Sequence, residues 1–276
     1  MSNQENLYIH VYTELHSQRI SYKNPDETWE TGQCLLDFIY ADLAALSHGG
    51  ATSENLGRLK DLHPYFRHIH EDSLRRFFEN SLDTAYEGRF CLEGFRKLQE
   101  TYKEWLLTYI NEGMTQAFVE KAGRFRFYAQ THYIWLEDAP AVDHFLLGFE
   151  DCLYLELWEV IQNSTLIKAC KNCGRMFLPK KSNIDYCSRI YTPDGKSCQE
   201  VGYTQTFARS VKSDELLQAY TRAYKAHYAR MSKPRKRAGN LSRQDFEKWY
   251  QEAKEKLNLA RSGMLDPDEY KEWLKK

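Results

Sequence analysis

Residues 170–198 read CKNCGRMFLPKKSNIDYCSRIYTPDGKSC and hold four of the chain's seven cysteines. The spacing is Cys170-x2-Cys173, thirteen residues, Cys187, ten residues, Cys198. A C-x-x-C pair sets two thiolates on one tight turn, and Gly174 supplies the left-handed backbone such a turn commonly needs. Thr192-Pro193-Asp194-Gly195 reads as a second turn, able to bring Cys198 back to the other three. Four thiolates suit zinc, which prefers soft or borderline ligands in a tetrahedron. The strand-like LIKAC at 166–170 and a helix farther on fit the same reading. We therefore expect one structural Zn2+ on Cys170, Cys173, Cys187 and Cys198. Four thiolates leave no open position for water, so such a site staples the fold and does not hydrolyse. The competing readings are buried free cysteines and a redox C-x-x-C pair, but the latter lacks a surrounding βαβ pattern.

The cysteines stand where the charge changes sign. Residues 1–165 carry 14 Lys+Arg against 26 Asp+Glu, residues 166–243 carry 17 against 5, and residues 244–276 carry 7 against 8. The net charge of -1 hides this division. Such asymmetry predicts either a surface for an anionic partner or two parts that attract each other. Lysine and arginine that neutralise phosphates release counterions, so the basic part is a candidate nucleic-acid surface. Its candidate contacts are Lys180, Lys181, Arg189, Arg222, Lys225, Arg230, Arg235, Lys236 and Arg237. No code for reading bases is legible among them.

On either side, helical periodicity dominates. Residues 7–13 (LYIHVYT) are expected as a short strand. Trp29, Leu35, Phe38, Ile39, Leu43 and Leu46 recur at roughly helical spacing before Gly49-Gly50. Shorter helices are expected over 53–62 and 68–84. Phe95, Leu98, Tyr102, Leu106 and Ile110 mark an amphipathic helix ending at Gly113. Pro140 suits the first position of a helix running to about residue 163. Past the cysteines, Ser213 is expected to cap a helix over 213–231. Its Leu216, Leu217, Tyr220, Tyr224, Tyr228 and Met231 share one face, with Arg222, Lys225 and Arg230 opposite. The basic linker SKPRKRAGN (232–240) precedes a helix over 243–261, and Asp266-Pro267 opens a last one. The fold expected is mainly α: an acidic helical domain over 1–165, a treble-clef-like or ribbon-like zinc finger over 166–212, and a basic helical region over 213–276.

The run CKNCGRMFLPKKSNIDYCS, entered from LWEVIQNSTLIKA, resembles the zinc finger of bacterial CGNR-type proteins. Those join an α-helical N-terminal domain to a C-terminal zinc finger and are considered transcription regulators. The whole chain is also similar to an uncharacterised bacterial family of unknown function with this architecture. By the resemblance, the four cysteines are the ligands, and Phe177 and Tyr186 match the aromatic positions beside them. Cys198 is followed by Gln-Glu-Val-Gly, where the named family has Gly-Asn-Arg.

The function expected is a cytoplasmic, zinc-dependent nucleic-acid-binding protein acting on DNA (or RNA), with transcription regulation as its role and a ligand or protein partner on the acidic domain. The alternative is an adaptor in which the metal only joins two helical lobes. No secretion leader is expected from MSNQENLYIHVYTELH. No membrane span is expected either, because Glu150, Asp151, Glu156 and Glu159 interrupt the longest apolar stretch. Catalysis is not expected. His63, His68, His70, Glu71 and Asp72 lack the geometry of a metal site, and Asp143-His144 and Thr131-His132 lack an identifiable nucleophile. Cys34, Cys91 and Cys152 fall on apolar helical faces and are expected in the core.

Overall fold

The computed structural model describes residues 9–14, 19–22, 27–46, 52–68, 92–122, 129–136, 139–146, 148–232 and 240–275. The chain divides into two compact units, Met1–Ala169 with Arg175–Asp185, and Cys170–Gly174 with Tyr186–Lys276.

The first unit contains a five-stranded antiparallel sheet of β1 (Ile9–Glu14), β2 (Arg19–Tyr22), β3 (Thr28–Glu30), β4 (Ala129–Leu136) and β5 (Ala139–Leu146), in the order β3-β2-β1-β5-β4. Its helices are α1 (Gln33–Ile39), α2 (Ser53–Leu62), α3 (Leu92–Glu112), α4 (Gln116–Ala122) and α5 (Phe149–Gln162). The expectation of a helical N-terminal domain is corrected here to a mixed α and β unit. The predicted strand at 7–13 overlaps β1, and the other four strands were not foreseen. Pro140 does not start a helix. It lies in β5 opposite Trp135, and the helix begins only at Phe149. The β1–β5 ladder stops at Ala141↔Glu14, so Pro140 lies just beyond it. The pattern over 29–46 also resolves differently. Trp29 belongs to β3, α1 is short, and Asp42 caps a 3-10 turn at Leu43–Ala45 by accepting from the Ala44 N–H at 2.9 Å.

Periodicity does locate α2, and α3 with its stop at Gly113 (φ 70°). The helix expected over 68–84 lies almost wholly outside the described residues, as do His70, Glu71, Asp72 and Cys91.

The sheet's inner face, with Val11, Ile20, Tyr22 and Leu146, joins one core with Leu35 and Phe38 of α1, Tyr102 and Leu106 of α3, and Leu153 and Val160 of α5. Aromatic contacts knit it together: Phe149 lies 5.1 Å from Phe38, edge to face, and 4.5 Å from Phe66, tilted, centroid to centroid. Cys34 and Cys152 are buried in it, as expected. Its centre is nevertheless polar. Glu156 of α5 accepts from the Tyr22 hydroxyl and from His63 Nε2 at 3.0 Å, and both side chains of the His63–Glu156 pair are fully enclosed.

His144 on β5 is buried, with Nε2 3.0 Å from the Thr13 hydroxyl oxygen. Burial opposes protonation and pulls His144 from 6.5 down to about 4, although Asp143 pulls the other way. A histidine held neutral by the fold contributes stability above its unfolded value, and that stability is lost as the pH falls through the interval. The first unit is thus expected to weaken from about pH 6.5 to about pH 4. His144→Gln should flatten that part of a stability-against-pH curve measured by urea denaturation.

The second unit is helical: α6 (Cys198–Ser213), α7 (Glu215–Met231), α8 (Arg243–Arg261) and α9 (Pro267–Trp273). The cap of α7 is Asp214, one residue later than expected, and its carboxylate accepts from the Leu217 N–H at 2.9 Å. Asp266 caps α9 with Pro267 in the first turn, as the sequence implies. Leu217, Tyr220, Ala253, Leu257, Tyr270 and Leu274 form this unit's own core. Tyr224 packs edge-on against Phe246 at 5.5 Å, so the tyrosines of α7 serve largely as packing. His227 stacks on Trp249 at 4.0 Å.

Candidate metal centre and the surrounding basic residues

The chain enters the first cysteine pair from β6 (Lys168–Ala169) and leaves it by β7 (Met176–Phe177), two short antiparallel strands. The knuckle closes when the Gly174 N–H donates to the Cys170 carbonyl at 2.8 Å, with Gly174 at φ 75°. Thirteen residues on, the Cys187 N–H points at Cys170 Sγ, 3.4 Å away. The segment from Cys187 to Cys198 folds into a small hairpin. Ile190 bridges Ser197, the Gly195 N–H reaches the Thr192 carbonyl at 3.0 Å, and the Cys198 N–H reaches the Arg189 carbonyl at 3.0 Å. This is the turn expected at 192–195. Cys198 is then the first residue of α6, behind a Ser197–Glu200 capping box in which the Ser197 N–H donates to Glu200 at 2.7 Å.

These elements bring the four sulfurs together. All lie within 4.8 Å of one another, and Cys173 and Cys187 are 3.7 Å apart. Metal–sulfur bonds of about 2.3 Å in a tetrahedron give sulfur–sulfur edges of about 3.8 Å, so the cluster has the size of a single-ion site. Cys170, Cys187 and Cys198 are buried, and Cys173 is partly exposed. The surroundings treat the thiols unequally. At Cys170, burial is outweighed by the N–H groups of Cys173, Cys187 and Asn172, which hold it down to about 7. At Cys198, burial and the neighbouring Cys173 and Cys187 thiols push it up to about 12 against the Asn172 amide. Thiolates this close repel one another, and a cation among them removes the conflict.

Two residues outside the ligand set shape the site, and cysteine spacing gives no sign of either. Buried Asn172, inside the C-x-x-C pair, donates its amide N–H to Cys198 Sγ at 3.4 Å. Arg209 of α6 donates to the Asn172 carbonyl at 3.0 Å and to its Oδ1 at 2.8 Å, fixing which way the amide faces. Gly202 admits the ring of Tyr186: a Cβ there would lie 2.3 Å from it, and the Tyr186 hydroxyl bonds Thr206 at 2.9 Å. Helix α6 itself was missed, although Ser197-x-x-Glu200 is the signal that could have found it.

The basic residues divide between the two units. Lys180 and Lys181 are exposed and belong to the first unit, where Phe177 is buried. Arg189 is half-buried in the finger, beside the carbonyl that holds Cys198. Arg222 and Lys225 are exposed on α7, and Arg230 is half-buried. Arg222 and Arg230 line an open groove between α7 and α9, which Glu215, Asp268 and Glu272 also line. Arg235, Lys236 and Arg237 lie outside the described residues. Among the described residues, no helix is long and apolar enough to cross a membrane.

Residues 144–274 match a family of unknown function, DUF6076. The match spans α5, the four cysteines and all four helices of the second unit. No curated protein and no solved structure matches the chain.

Proposed function

We propose that the four thiolates hold one structural zinc ion and that the second unit, stapled by it, binds nucleic acid as a DNA-binding regulator. The observation that carries the zinc reading is the cluster of four sulfurs within 4.8 Å, three of them buried. Knuckle, hairpin and a helix opened by the fourth ligand follow one another in the order of a treble clef. Support for nucleic acid comes from charge: the second unit carries 20 Lys+Arg against 12 Asp+Glu, a net of +8. Arg222 and Lys225 stand exposed on a helix whose other face is packed. The adaptor reading draws on a different observation, the acids that share the groove with Arg222 and Arg230.

Binding of the full chain to random-sequence duplex DNA at two salt concentrations separates the two readings. Contact with even two phosphates lowers affinity about tenfold for a fourfold rise in salt. The expected result is at least that loss, with a shallower slope in the double variant Arg222→Glu, Lys225→Glu. Absence of binding at low salt would sink the nucleic-acid reading and favour the adaptor.

A further inference from the structure

The two edges of the five-stranded sheet are unlike. At one end β3 is three residues long, ends in Glu30, and pairs with a β2 that begins at Arg19. Short, charged edges are how sheets avoid joining other strands. At the other end β4 (AQTHYIWL) runs for eight residues with no acid, lysine, arginine, proline or glycine. It pairs with β5 along its whole length and with no other strand among the described residues. Alternate residues of such a strand turn their N–H and C=O groups away from the sheet, leaving half a ladder open. On one face of this edge stand Tyr133 and Trp135, 82% and 73% exposed. Large aromatics this exposed, side by side on an unguarded edge, are the mark of a surface that is covered in use.

We infer that β4 pairs antiparallel with β4 of a second copy of this chain, joining two five-stranded sheets into one. Two observations favour a second copy as the occupant. The strand carries no formal charge at neutral histidine, so bringing it against itself creates no repulsion across the ladder. Second, a two-fold axis perpendicular to the sheet keeps each side chain on its own face, so the aromatic faces of both strands coincide. With the axis at Tyr133, that ring meets its own copy, and Trp135 lies over Thr131 of the partner subunit, an aromatic and β-branched pair of the kind that stabilises ladders. The pairing is independent of the metal and of nucleic acid.

Sedimentation velocity of the full chain over a range of concentrations tests this. The expected result is a reversible dimer, with Tyr133→Lys and Trp135→Lys each weakening dimerisation by at least about tenfold. Both positions are exposed, so the far-UV circular dichroism of the monomers should match wild type. A Tyr133→Cys variant should additionally form a disulfide-linked dimer under mild oxidation, which reduction reverses. A wild-type chain that stays monomeric up to high micromolar concentration overturns the inference. So does a dimer that both lysine variants leave intact, since its interface lies elsewhere.

Discussion

Stripping the metal from the folded chain, or replacing Cys198 by serine, is expected to unfold the finger and loosen α6 while leaving the first unit folded. The reasoning starts from where the ligands sit. None of the four sulfurs belongs to the core of the first unit, which is built on the sheet, α1, α3 and α5. The finger has little apolar core to replace the ion. Its internal order rests on a knuckle hydrogen bond, one hairpin, the Tyr186 ring set on Gly202 and the Asn172–Arg209 clamp, and that clamp matters only while Cys198 stands beside Asn172. Structural zinc contributes on the order of 10 kcal/mol in small modules, more than those hydrogen bonds supply at about 1 kcal/mol each. Wild type should carry close to one equivalent of zinc by elemental analysis, and Cys198→Ser much less. Limited proteolysis of the chelated protein should cut first between residues 186 and 213. A chelated chain with unchanged helicity, melting and protease resistance would show that the sulfurs hold no metal that the fold depends on.

The finger was legible for a physical reason that does not extend to the rest of the chain. Metal ligation depends on residue type and on short spacing, and both are visible in one dimension. Turn chemistry at Gly174 and Thr192–Gly195 is equally local, and both turns form as expected. The sheet is different, because β5 becomes a strand by pairing with β4 along its whole length and with β1, about 130 residues away, at Val11↔His144 and Thr13↔Val142. Pro140 itself lies opposite Trp135 of β4, and that pairing overrides its local signal as a helix start, as tertiary context overrides weak propensity. Charge was legible as an inventory and not as a surface. Arg222 and Arg230 read as a basic face until α9, about forty residues on, brings Asp268 and Glu272 to the same groove. Asn172 and Arg209 show the same limit at the cysteine cluster. Their roles come from a contact between residues 37 positions apart, and neither residue type announces it.

Removing the Glu156 carboxyl group is expected to be among the most destabilising single changes in the first unit. Glu156 projects from α5 into a fully enclosed site and is shared by two donors from distant parts of the chain, Tyr22 of β2 and His63, which follows α2. The tautomer of His63 follows from its other nitrogen. Nδ1 accepts the Tyr65 N–H at 3.1 Å, so Nε2 carries the hydrogen that Glu156 receives. Glu156→Ala strands both donors in an apolar core, and losing one partner of a buried pair costs about 3–5 kcal/mol. Tyr22→Phe strands neither donor. It leaves the carboxyl group with His63 alone, at a site where Oε2 already lacks a partner among the described residues, and should cost about 1–3 kcal/mol. Glu156→Gln keeps the shape and one acceptor oxygen for both donors, and should be the mildest of the three. Urea denaturation followed by near-ultraviolet circular dichroism reads this order directly, since Trp29 lies 5.9 Å from the Tyr22 ring. If Glu156→Ala were as stable as wild type, the three groups would not be acting as a network. If Glu156→Gln were as damaging as Glu156→Ala, the core would depend on the charge of the carboxylate and not on its hydrogen bonds.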